Sequence, residues 1–230
     1  MIITFISDTH NKHNQITKDL PGGDLLLHSG DISSRGYSGE IESFCKWFNS
    51  LDNYKHKVFI AGNHDFGFKD NKERVKEILS KYNNITYLED NMYIADDENY
   101  PEGIKIWGSP WQPHFHNWAF NLPRNGDEIK SKWNLIPNDT DIILTHGPAW
   151  GHLDQVYGID EHLGCEALTE KIDLIKPKIH LCGHIHSGYG YKYNENTHFF
   201  NASVLDERYE YNNKIMTIVW DKKSNDVYFL

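Results

Sequence analysis

Short apolar runs recur along the chain, and each gives way abruptly to glycine or to a side chain able to hold a metal ion or a proton. Ile2 to Ile6 leads to Ser7 and Asp8, Leu25 to Leu27 leads to His28, Ser29, Gly30 and Asp31, and residues 58–61 lead to Gly62, Asn63, His64 and Asp65. Ile142 to Leu144 leads to Thr145, His146 and Gly147, and residues 179–181 lead to Cys182, Gly183, His184, Ile185 and His186. Continuous apolar runs of this length predict strands covered on both faces. Between them, apolar residues at helical spacing predict helices over residues 40–51 (Ile41, Phe44, Cys45, Phe48), 72–82 (Val75, Ile78, Leu79, Tyr82) and 160–175 (Leu163, Ala167, Leu168, Ile172, Ile175). The last of these stops before Pro177. The final third returns to strand-like runs over 188–193, 198–200, 214–220 and 227–230. No repeat, low-complexity tract or linker interrupts the pattern, so one α/β domain with two sheets over residues 1–230 is expected.

Composition narrows the function. Of 230 residues, 39% are hydrophobic and 24% charged, the balance of a globular domain. No run approaches the length needed to cross a bilayer, and Met1 leads straight into a strand without a basic flank, so a cytoplasmic location and no membrane partner are expected. Cys45, Cys165 and Cys182 are odd in number and lack CxxC spacing, which predicts buried thiols rather than disulfides or a thiolate metal site. A net charge of −10 argues against long nucleic acid as a partner. It leaves room for a small phosphate substrate, because bound divalent cations can reverse the sign of a site. No feature calls for an obligate protein partner.

The polar residues at the strand ends are the centre of interest. Two adjacent divalent ions need several oxygen and nitrogen ligands, a carboxylate able to bridge them, and an open edge for water and substrate. Asp8, His10, Asp31, Asn63, His146, His184 and His186 offer those groups. Asp8 with His10, and His184 with His186, have a spacing that would put both side chains on one side of an extended backbone. Taken singly, Asp31 or Asn63 is a common turn former. Taken together, five strand ends all delivering metal-competent groups are hard to explain as packing.

Five blocks carry a resemblance: Asp8-x-His10, Gly30-Asp31, Gly62-Asn63-His64-Asp65, His146-Gly147 and Gly183-His184-x-His186. In that order and spacing the chain resembles the calcineurin-like metallophosphoesterases. The segments Trp107-Gly108-Ser109-Pro110-Trp111, Phe120 to Arg124, Trp133 to Pro137 and Asn201-Ala202-Ser203 are similar to the metallophosphoesterase-domain-containing branch, which is associated with cyclic nucleotide phosphodiesterase activity. The resemblance implies a four-layer αββα sandwich of two mixed sheets flanked by helices, with the metal site at the strand-end rim. It implies that Asp8, His10 and His186 hold one ion, that Asn63, His146 and His184 hold the other, and that Asp31 bridges them. A metal-bridging hydroxide would attack phosphorus, His64 would act as general acid, and Asp65 would orient His64. Donor chemistry without thiolate favours Mn²⁺, with Fe and Zn²⁺ as alternatives. The substrate class implied is small phosphodiesters, cyclic nucleotides among them. The rivals are a phosphomonoesterase or protein phosphatase and, from another class, a metal-binding scaffold for protein interaction.

Expectations for the remaining residues are plainer. Arg35 and Arg124 are phosphate-contact candidates whose commoner role is a salt bridge or loop anchor. The aromatic segment 107–120 reads mainly as packing, with Trp111 or Phe115 as a surface for a base and His114 as a substrate contact. His152, six residues beyond His146, is a candidate for reaching the rim; His28, His56, His180 and His198 read as structural or surface. Asp96, Asp97 and Glu98 read as a solvated loop.

Overall fold

The computed structural model describes every residue except Ile159. In chain order the first part contains β1 (Ile2–Ile6), α1 (His13–Ile16), β2 (Gly23–His28), α2 (Ser38–Asn49), β3 (Tyr54–Phe59), α3 (Phe66–Asp70), α4 (Lys72–Leu79) and β4 (Thr86–Tyr87). Next come β5 (Asn91–Asp97), β6 (Tyr100–Ser109), β7 (Gln112–Pro113), β8 (Asn121–Leu122), α5 (Asp127–Asn134) and β9 (Ile142–Thr145). The chain ends with α6 (Glu166–Ile175), β10 (Ile179–Cys182), β11 (Gly190–Tyr193), β12 (His198–Asn201), β13 (Met216–Asp221) and β14 (Asp226–Phe229).

Two six-stranded mixed sheets result, ordered β14-β13-β1-β2-β3-β4 and β11-β12-β10-β9-β6-β5. In the first, β1 to β4 pair in parallel and β13 and β14 are antiparallel. In the second, β6, β9, β10 and β12 are parallel, with β5 and β11 antiparallel at the edges.

Alternation along each strand explains the layers. Ile3, Phe5, Leu25, Leu27, Val58 and Ile60 meet Ile104, Ile106, Ile142, Leu144, Ile179, Leu181 and Phe200 between the sheets. Phe5 and Phe200 touch across that interface with ring centroids 4.5 Å apart. The opposite faces, Ile6, Leu26 and Phe59 on one sheet and Trp107, Ile143 and Phe199 on the other, pack under α2 and α4 and under α5 and α6 respectively. This is the expected αββα order. Each large apolar side chain so buried is worth about 1.5–3 kcal/mol relative to exposure. All three cysteines are buried free thiols.

Two local expectations need correction, and a further helix lies where no helix was expected. The third helix begins at Glu166 rather than 160. Upstream of it the Asp154 carboxylate accepts the N–H groups of Gly151 and Gly164 and meets His162 Nδ1 at 2.6 Å, so tertiary partners hold this stretch against its helical spacing. Second, β5 and β6 form a long hairpin that the apolar pattern does not announce, and Asp96 and Asp97 close β5 instead of lying in a loop. The further helix, α5, forms over only two buried side chains, Ile129 and Trp133. Among the described residues no helix is long and apolar enough to cross a membrane.

Candidate metal centre

The carboxyl ends of β1, β2, β3, β9 and β10 deliver Asp8, Asp31, Asn63, His146 and His184 to one rim, the usual ligand edge of parallel strands. Local backbone does the aiming. Asp8 (φ 54°), His10 (φ 40°), Asp31 (φ 54°) and His184 (φ 68°) all adopt left-handed conformations that non-glycine residues avoid, a form of strain that collects at functional sites. The pairing of Asp8 with His10 therefore comes from turning chain, not from the extended backbone the spacing suggested. Glycine gives the strand ends room: a Cβ on Gly62 would stand 2.3 Å from Asp31 Oδ1, and one on Gly183 would stand 2.1 Å from Asp8 Oδ2.

The side chains converge in overlapping groups of possible ligands: Asp8, His10 and His186; His10, Asp31 and His64; Asp8, Asp31 and His146. His10 Nε2 lies 3.9 Å from Asp8 Oδ1 and 3.6 Å from Asp31 Oδ2, His186 Nε2 lies 3.5 Å from Asp8 Oδ1, and His146 Nε2 lies 3.4 Å from Asp31 Oδ1. Asn63 joins through Oδ1, 2.9 Å from His146 Nε2. His184 falls outside these groups. Its backbone N–H donates to the Asp8 carboxylate at 3.1 Å, and its ring stands 5.1 Å from that of His146.

Backbone carbonyls fix the imidazole tautomers. His146 Nδ1–H donates to Ser29 O (2.9 Å), His186 Nδ1–H to Asp206 O (2.8 Å) and His64 Nδ1–H to Ser34 O (2.9 Å). Each ring thus turns Nε2 toward the carboxylates, the arrangement that a backbone carbonyl on the other ring nitrogen imposes on metal-ligating histidines. Ser203 Oγ–H donates to Asp8 Oδ2 at 2.8 Å and fixes that carboxylate from below.

Charge follows geometry. Burial alone would lower His146 and His186, but the Asp31 and Asp8 carboxylates beside them outweigh it, raising both to about 9. For Asp8, burial raises the carboxyl, while His186, His146 and His10 together carry it well below the usual range. His10 is 6% exposed, burial lowers it to about 4, and neither of its ring nitrogens has a hydrogen-bond partner. A buried polar group left unpaired costs on the order of 1–3 kcal/mol. A divalent cation between His10 and the Asp8 and Asp31 carboxylates would satisfy it, and this carboxylate, imidazole and amide set is apt for such ions.

Calcineurin-like phosphoesterases share a sequence profile that matches residues 1–188. The chain belongs to this family. It is 38% identical to Metallophosphoesterase domain-containing protein 1 of Homo sapiens over 222 residues, covering 89% of this chain and 66% of that protein. It therefore spans slightly under two thirds of that relative's length. A UPF0046 protein of Caenorhabditis elegans is 38% identical over 215 residues, covering 88% of this chain and 75% of its own. Among solved structures, TT1561 of Thermus thermophilus superposes with a TM-score of 0.65 at 12% identity, covering 100% of this chain and 97% of that one, a likeness of fold.

Above this centre opens a cavity of about 480 Å³, floored by Asp31, Asn63, His64, His184 and His186 and walled by Gln112, Pro113, His114, Phe115, Pro148, Val156, Leu163 and Tyr209. The residues expected there are only partly present. His114, Phe115 and Arg124 line it. The hydrogen bonds Arg124 makes go to the carbonyls of Leu163 and Gly164 and to Glu166, so it clamps the cavity wall. Arg35 instead lies over the Trp118 ring at 4.7 Å. Trp111 donates Nε1–H to Asp90 and packs under Lys132, away from the cavity. His152 stacks on Phe199 at 3.7 Å and does not reach the rim.

Asp65 also departs from expectation. Its fully buried carboxylate accepts Ile32 N–H and Gly62 N–H on Oδ2 and Ser33 N–H and Oγ–H on Oδ1, without touching the His64 ring. Burial and the Asp31 charge push the group up to about 7, yet each oxygen already accepts two donors, which fixes the carboxylate form. Orientation of His64 falls instead to the Ser34 carbonyl and to Trp118, stacked on the ring at 4.0 Å. Tyr209, in left-handed backbone (φ 60°), packs against His10 and His186 at 4.9 and 5.1 Å. Nothing in the sequence pattern singled out Tyr209, since it sits with Tyr211 in a polar stretch that carries no motif.

Proposed function

We propose that this chain is a two-metal phosphodiesterase that hydrolyses small phosphodiesters, cyclic nucleotides among them. The observation that carries this reading is the convergence of three overlapping ligand groups whose Asp31, His64 and His186 reach the floor of one cavity, with His64 Nε2 3.9 Å from Asp31 Oδ2. Two divalent ions, held by Asp8, His10 and His186 and by Asn63, His146 and His184 with Asp31 between them, would supply Lewis-acid charge at phosphorus and an acidified water as nucleophile. Mn²⁺ is the favoured ion, with Fe and Zn²⁺ as alternatives on the same donor chemistry.

The chain's own residues account for the rest. Ser29 and Asp206 carbonyls hold His146 and His186 with Nε2 free for ions. Ser34 O and Trp118 hold His64 so that its Nε2–H, in the imidazolium form, donates to a phosphoryl oxygen and then passes its proton to the leaving oxygen. Pro113, Phe115, Pro148, Val156 and Leu163 give the organic part of an ester an apolar wall. A cavity of about 480 Å³ is of small-molecule size, which favours a small ester over a phosphoprotein.

Turnover of bis-p-nitrophenyl phosphate against p-nitrophenyl phosphate, by metal-stripped protein with Mn²⁺ restored, separates diester from monoester chemistry. Preference for the diester is the expected outcome; preference for the monoester moves the assignment to a phosphomonoesterase. Binding of ions without turnover of either ester would favour the scaffold reading.

A further inference from the structure

Gln112 is 1% exposed and its Oε1 has no hydrogen-bond partner, although the residue lies on the cavity wall. Its orientation is set by its neighbour. Asn121 donates through Nδ2 to the carbonyls of Phe115 (3.0 Å) and His116 (2.9 Å) and accepts Phe115 N–H on Oδ1 (3.2 Å), which fixes the end of that amide that is oxygen. Gln112 stands 3.3 Å from Asn121 Oδ1 and must turn Nε2 to it. Oε1 is left as an acceptor without a donor. A Cβ on Gly147 would come 3.1 Å from Gln112 Cβ, so this amide sits against the chain leaving His146. The same Asn121 holds the backbone of Phe115, whose ring is 45% exposed and lines the same cavity edge-on to His184.

We infer that Gln112 is a specificity-determining residue that accepts a hydrogen bond from the nucleoside part of the substrate, with Phe115 as the surface on which the base lies. The inference rests on the phosphodiesterase reading of this cavity. The ligand class is a nucleoside phosphate bearing a neutral donor, either a base N–H or a ribose hydroxyl. A buried acceptor rejects an analogue lacking the matching donor far more strongly than an apolar pocket rejects a change of size. Aromatic stacking adds affinity for any base and so little choice among them.

The test is calorimetric binding to the Mn²⁺-loaded chain, using adenosine 5′-monophosphate, purine riboside 5′-monophosphate (no amino group), 2′-deoxyadenosine 5′-monophosphate and phenyl phosphate. One of the two nucleotide analogues should bind at least ~10-fold more weakly than adenosine 5′-monophosphate, and which one does identifies the donor as base or ribose. In Gln112→Leu the gap should shrink to within about twofold, as expected when the acceptor is gone. Gln112→Met, closer in shape, is measured beside it, with melting temperature as the check on folding. Equal binding of both analogues to the wild-type chain, a gap that persists in the variants, or nucleotide binding no tighter than phenyl phosphate overturns the inference. Wild-type turnover of bis-p-nitrophenyl phosphate, which carries no hydrogen-bond donor, tests the phosphodiesterase reading separately. Turnover with a flat analogue series sinks only the role of Gln112, and no turnover with a clear gap sinks only the reaction.

Discussion

Asp65→Asn separates two accounts of the residue beside His64, the proposed general acid. If Asp65 oriented His64, the substitution would lower kcat and leave the fold alone. The structure places its carboxylate elsewhere, on four donors from Ile32, Ser33 and Gly62, where it ties the loop after β2 to the loop after β3. Asparagine can keep Ile32 N–H and Gly62 N–H on its oxygen and turn its NH₂ toward Ser33, whose Oγ can accept but whose N–H is left without a partner. One buried donor left unpaired, at about 1–3 kcal/mol, gives an expected loss of about 2 kcal/mol. For a chain of this size that lowers the melting temperature by about 4–8 °C. Urea denaturation with chelator present, which removes any contribution from bound ions, is the assay. His64→Asn is the control: it should leave stability near wild type while removing turnover. An Asp65→Asn protein that unfolds at the wild-type midpoint yet turns over substrate slowly would refute the reasoning and return Asp65 to the catalytic apparatus.

Acid should weaken the fold through histidines outside the metal cage. Burial pushes His28 and His180 down to about 3, so below the ordinary 6.5 the unfolded chain takes up protons that the folded chain refuses. Their contribution is complete above pH 6.5 and is lost as pH falls toward 3, at about 1.4 kcal/mol per unit for each, or about 4 kcal/mol for the pair by pH 5; equal urea stability at pH 7 and pH 5 would contradict this. Gly183→Ala should cut ion affinity at least ~10-fold by calorimetry, because the added methyl meets Asp8 Oδ2 and displaces a ligand; wild-type affinity would show that the strand end yields freely. Trp118→Leu should lower kcat by on the order of 10-fold by loosening His64, with little change in melting temperature. An unchanged kcat would leave the Ser34 carbonyl as the ring's sufficient support.

The strands and their chemical ends were legible because the core strands are apolar throughout and stop at residues no core would hold. Helix α4 was legible for a related reason, its Val75 and Ile78 falling at clear helical spacing. The elements that the pattern does not announce have identifiable causes. Helix α5 shows only Ile129 and Trp133 to a periodicity argument, and β6 starts among Tyr100, Glu102 and Gly103, where polarity hides a strand. Carbonyl partners such as Ser34 O, Ser29 O and Asp206 O are invisible in a sequence, since every residue has one. The same holds for Tyr209 and for the left-handed turns at Asp8 and His10, which depend on chain brought in from elsewhere. Arg35, Trp111 and His152 were plausible by residue type, but side-chain direction placed them on Trp118, Asp90 and Phe199.

The central claim is that His10, orphaned between two carboxylates, belongs to an ion-dependent hydrolytic centre served by His64. It is tested most directly by the rate of bis-p-nitrophenyl phosphate hydrolysis in metal-stripped protein, with and without added Mn²⁺, beside the His64→Asn variant. The account predicts that turnover is absent without ions, returns with Mn²⁺, and falls by about 100-fold or more in the variant, as loss of the His64 donor to the phosphoryl oxygen requires. Turnover that survives chelation, or a His64→Asn protein as fast as wild type, would contradict it.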